Sequence, residues 1–119
     1  MWLFIASGLS ALTLLVHVIA GGRSVARPVL ESELSAEPKY ASYYCWHMVS
    51  IVIAFMALAF ALPALSLASI DLAWAATLLA FLFAVWSLAL TVWKRQRFIT
   101  LPQWLLFLPI SVAGFLGLQ

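Results

Sequence analysis

IDLAWAATLLAFLFAVWSLALTVW, residues 70–93, carries one charged side chain, Asp71, and then runs to Trp93 without another. A helix needs about 20 apolar residues to cross roughly 30 Å of hydrocarbon, so a stretch of this length and composition predicts a transmembrane helix. Ala73, Thr77, Ala80, Ala84, Ser87 and Thr91 recur within it at helical spacing and make one face of small side chains. In lipid, apolar burial gives helices no reason to associate. Close backbone approach along small residues supplies dispersion contacts instead, so this face is predicted to be the inward one.

The same composition continues on both sides. The chain has 119 residues, 66% hydrophobic and 8% charged, against roughly a quarter charged in ordinary soluble domains. Apolar spans lie at about residues 2–20, 42–62, 70–93 and 101–118. The expected fold is therefore an all-α integral membrane domain covering 1–119, with four antiparallel transmembrane helices packed through small-residue seams. Ala6, Ser10, Thr13, His17 and Gly21 would form the seam of the first helix, and Tyr43, His47, Ser50, Ala54, Ala57 and Ala61 that of the second.

Punctuation supports these boundaries. Gly21-Gly22 is a place for the first helix to stop, and Pro63 for the second. A polar connection, about 22–41, follows the first helix, with Pro28 placed to start a short helical piece. Ser69 with Asp71 reads as the start of the third helix. Thr100 and Gln103 have capping-box spacing ahead of the fourth, Ile99 and Trp104 that of a hydrophobic staple, and Pro109 predicts a kink.

All six basic residues, Arg23, Arg27, Lys39, Lys94, Arg95 and Arg97, fall in the first and third connections. The positive-inside rule makes connections 21–41 and 94–100 cytoplasmic and both termini outward (N-out/C-out), as for a multi-pass protein of a cell's inner (plasma) membrane. Residues 2–20 lack a basic stretch ahead of them, so they read as a retained helix rather than a signal peptide.

Several functional classes are excluded. One cysteine, Cys45, makes neither an internal disulfide nor a structural zinc set. No glycine-rich phosphate loop or arginine-rich stretch points to nucleic acid. Asp71 lies in the first turn of its span and Glu31, Glu33 and Glu37 lie outside the spans, which leaves no carboxylate at mid-membrane for ion coupling or for orienting a histidine in a hydrolase. No catalytic set is assigned, and an enzyme is disfavoured.

What remains is YYCWHMVS, residues 43–50. Cys45 is about 160° around the helix from His47 and Met48 about 100°, so neither joins it in a chelate. Tyr40, Tyr43, Tyr44 and Trp46 sit where interfacial aromatic rings collect. His47 is matched by His17 at similar depth, and both are expected to point inward, with Tyr43 and Ser50 as neighbours of His47. Ionisable groups in a membrane mark candidate sites, and neutral imidazole ligates metal. The plainer role for the two histidines is pinning helix register through hydrogen bonds.

The leading expectation is thus a structural or accessory subunit that contacts the lipid bilayer and associates with other membrane subunits or with itself. The alternative is a protein that holds haem b or a transition metal at His17 and His47. The third is a carrier for a neutral or apolar solute.

Overall fold

The computed structural model describes residues 1–119, all of the chain. It contains helices and no strands. We number them α1 (Trp2–Leu30), α2 (Ala36–Ala64), α3 (Ile70–Trp93) and α4 (Gln103–Gly117). The first three are long and apolar enough to cross a membrane, whereas α4 is apolar but only 15 residues long. At 1.5 Å per residue α4 spans about 22 Å, short of a full hydrocarbon layer.

Five expected boundaries move. The first helix does not stop at Gly21-Gly22 but continues to Leu30, so the connection shrinks from 22–41 to residues 31–35. The reason lies in how the backbone winds. His17–Ala26 forms a π-helix, in which the Arg27 N–H donates to the Gly22 carbonyl five residues back. Pro28 supplies no N–H, and its ring would strike the carbonyl four residues earlier in a regular α-helix. A wider turn ahead of it, through two glycines without Cβ atoms, gives the ring room.

The second helix begins at Ala36 rather than 42, with Ser35 at its N-cap position, Glu37 in the first turn and Pro38 where a missing N–H costs nothing. It runs through Pro63 instead of stopping there. Its end is closed two residues past Ala64 by Ser66, which takes a left-handed conformation (φ 60°) while the Leu67 N–H donates to the Leu62 carbonyl. Arg95 (φ 52°) and the Gln96 N–H to Thr91 carbonyl bond end α3 in the same way. The third helix occupies its expected range. Ser69 Oγ accepts from the Asp71 N–H at its start.

The fourth helix, expected over 101–118, is Gln103–Gly117. Thr100 does not cap it. The Trp104 N–H donates instead to Ser87 Oγ on α3, so a seam residue of one helix satisfies the open end of another. Ile99 is exposed and makes no staple, and Trp104 packs edge-on against Phe98 and donates through Nε1 to the Phe98 carbonyl. Pro109 lies inside the helix.

The helices pack in chain order, and α4 closes back onto α1. Pairs such as Ser7 with Ala57, Ser87 with Trp104 and Leu3 with Gly117 make each neighbour antiparallel. The seam of α3 is buried at all six expected positions, and Ala6, Ser10 and Thr13 of α1 are buried with it. Helix α2 departs from expectation. Its buried residues are Ile53, Met56, Ala59 and Phe60, while Ser50, Ala54, Ala57 and Ala61 are only half-buried and Tyr43 and His47 are exposed.

The expected small seam is therefore not the inward face of α2. The small faces of α1 and α3 leave a central volume that a further small face on α2 could not fill, and close packing needs that volume occupied. Ile53, Met56 and Phe60 occupy it. A Cβ on Gly114 of α4 would lie 2.9 Å from the Phe60 ring and would also strike Thr77 Oγ1, so this glycine is required by the approach of α2 and α3.

Candidate functional site

The turn of α1 that widens is also the turn that carries His17. Its imidazole stacks on the indole of Trp46 from α2, with ring centroids 3.9 Å apart and planes inclined by 17°. Nε2 of His17 lies 3.2 Å from the Trp46 carbonyl oxygen. An oxygen there can only accept, so Nε2 is the donor, and with the ring neutral Nδ1 is left as an acceptor. Gly21, one turn further along, makes the stack possible. A Cβ at that position would come within 2.5 Å of the Trp46 ring.

His47 is placed differently from expectation. It is exposed, and its ring meets Tyr43 edge-on with centroids 4.6 Å apart. The two histidines therefore do not share the inward face: Trp46, the residue before His47, takes the place against α1 that His47 was expected to hold. Ser50 is half-buried and donates to the Trp46 carbonyl, the same oxygen that His17 engages. Of the expected set, His17 and Ser50 come together through Trp46, and Tyr43 and His47 form a separate pair.

This arrangement does not suit a haem held between His17 and His47. One ring is covered by an indole and committed through Nε2, and the other faces outward. No three side chains among His, Cys, Asp and Glu gather where they could hold a metal ion. Cys45 is exposed.

At the basic end of the bundle, where α4 begins at Gln103, a pocket of about 210 Å³ opens between α1, α2 and the segment that leads into α4. Thr13 and His17 of α1, Trp46 and Ile53 of α2, and Gln103 and Phe107 of α4 line it. Sequence reasoning took Trp46 for a membrane anchor, read Gln103 only as part of a capping box and assigned Thr13 to a seam rather than to a site. The spacing of His17 and Gly21, one turn apart with no side chain on the second, was the available signal for a flat ring docking on α1.

A second, larger opening of about 690 Å³ runs along α3 and α4 on the outer surface, walled by Trp74, Leu78, Phe81, Val112 and Phe115, with Thr77 and Ser111 at its polar positions. No family model matches this chain, and no curated protein or solved structure matches it.

Proposed function

We propose that the chain is a four-helix integral membrane protein with both termini on the outer side, and that it serves as a structural or accessory subunit, associating through its α3–α4 face with a larger membrane complex or with further copies of itself. The observation that carries this reading is that open apolar groove, about 690 Å³ along two adjacent helices. Inside the bundle, by contrast, the hydroxyls of Ser10 and Thr91 each bond their own helix backbone and are not available for chemistry. A surface apolar on all sides is what a lipid-embedded chain needs, and an indented stretch of it with aromatic walls admits another helix.

Orientation is supported by the charges. The antiparallel packing brings the end of α1, the start of α2 and the end of α3 to one end of the molecule, and all six basic residues lie there. A periplasmic-type reporter fused after Gln119 should be active and one inserted at Gln96 inactive. The reverse pattern would invert the assignment.

Association is tested by the size of the particle that mild detergent releases from membranes. It should exceed a single 13.1 kDa chain with its micelle, and Ser111→Leu combined with Val112→Trp should return it to the single-chain size. A particle of single-chain size from the unaltered protein would remove the accessory role. A haem band in the visible spectrum of that material would replace it with the redox alternative, and transition metal in its elemental analysis with metal handling.

A further inference from the structure

The pocket at the basic end differs from the rest of the interior in its hydrogen bonding. A hydroxyl on a helix ordinarily donates to the carbonyl four residues back, and Ser10, Ser24, Thr77 and Thr91 all do so. Thr13 does not. It is 3% exposed, yet its hydroxyl has no partner in the protein, and no fully enclosed side-chain oxygen or nitrogen lacks one. Thr13 is also one of the residues that line the pocket. Ser111 is the one other buried hydroxyl of this kind, in the α3–α4 groove.

Around Thr13 stand groups of complementary type. His17 retains Nδ1 as an acceptor, because Nε2 is held by the Trp46 carbonyl. Gln103 contributes a side-chain amide whose N–H₂ donates and whose oxygen accepts. It is also the first residue of α4, so the positive end of that helix's dipole opens at the pocket and favours an oxygen. No lysine, arginine, aspartate or glutamate lines the space, and a charged group placed there would go uncompensated. Val16, Ile53, Leu106 and Phe107 supply the apolar remainder.

We propose that this pocket binds the head of a neutral amphiphile, one in which a hydroxyl that donates to His17 Nδ1 lies close to an oxygen that accepts from Thr13 and Gln103. The volume, about 210 Å³, takes a group of a few heavy atoms such as a glycerol ester or a dihydroxylated ring, with the tail left in the bilayer. A glyceride and a quinol both present this chemistry, and they differ in whether an aromatic ring is needed beside Trp46 and Phe107. The inference rests on the membrane-embedded reading above, which is checked first and separately by recovery of the chain in the lipid fraction.

The test uses the full chain with ¹⁵N-labelled histidine in phosphatidylcholine nanodiscs, titrated in separate arms with 1-monooleoylglycerol, decylhydroquinone and methyl oleate. One of the first two should move the Nδ1 resonance of His17 in a saturable way, and which one does so identifies the source. The His47 signal should stay in place, and methyl oleate, which has no hydroxyl, should do nothing. Thr13→Val, nearly the same shape without the hydroxyl, should weaken the effect roughly three- to tenfold, while Thr91→Val, whose hydroxyl is already bonded to the Ser87 carbonyl away from the pocket, leaves it unchanged. A His17 resonance indifferent to both hydroxylated probes, or one equally responsive to methyl oleate, would overturn the proposal without recourse to any variant. So would a Thr13→Val protein with circular dichroism and affinity both like those of the parent.

Discussion

The two ends of this bundle are made from the same helices and packed on opposite terms. Toward the chain termini, four regular helices surround Met56 and Phe60, Gly114 admits the Phe60 ring, and a Cβ on Gly117 would lie 2.6 Å from Leu3. Toward the basic end, α4 has not yet begun, α1 is wound as a π-helix, and the gap is bridged by a flat stack of imidazole on indole beside a pocket. The first end is filled by shape. The second is held by a few directional contacts and leaves one buried hydroxyl unused. A membrane bundle can thus fill its centre by close packing in one half of its length and hold the other half by directional contacts beside a pocket, since dispersion contacts act only where atoms touch.

The contrast makes unequal predictions for the two ends. Phe60→Ala should cost about 3 kcal/mol, because it empties the centre of the filled end and its small-residue neighbours cannot close the gap. Leu106→Ala, on the pocket wall, should cost under about 1 kcal/mol. Unfolding in a graded mixture of mild and harsh detergent reads both, and equal losses would mean that the filled end is not the more tightly packed one.

Glycines sharpen the point at smaller amplitude. Gly114→Ala should lose about 1–2 kcal/mol, since the new methyl meets both the Phe60 ring and Thr77. Gly22→Ala, where nothing lies within 4 Å of the added atom, should be neutral or gain up to about 1 kcal/mol from helix propensity. A loss at Gly22 as large as at Gly114 would show that the wide turn itself depends on that glycine.

The smallest effect belongs to the stack. In a double-mutant cycle, His17→Ala and Trp46→Ala should couple by about 1 kcal/mol, the scale of an aromatic pair with an intramembrane hydrogen bond. His17→Ala and His47→Ala should be additive. Coupling between the histidines and none with Trp46 would restore the shared site that the sequence suggests.

Much of this was legible in the residues alone. Long uncharged runs have one inexpensive environment, so the number of apolar helices and the range of α3 follow from composition and length. Small residues at helical spacing likewise have few uses in such a helix, and the seams of α1 and α3 lie where the spacing puts them. The clustering of arginine and lysine at one end needs no coordinates either.

The tertiary structure decided which way α2 turns. Two stripes run along that helix, one small through Ser50, Ala54 and Ala57, and one bulky through Trp46, Ile53, Met56 and Phe60, and each is self-consistent at 100° per residue. The choice between them depends on the volume left by three other helices, a quantity no single segment contains. That rotation carries Trp46 inward and His47 outward, and with them the identity of the site. Likewise, Gly21-Gly22 reads locally as a stop. Pro28 and the docking of Trp46 on α1 make it a widened turn instead, because a backbone that can either break or stretch is settled by what packs against it.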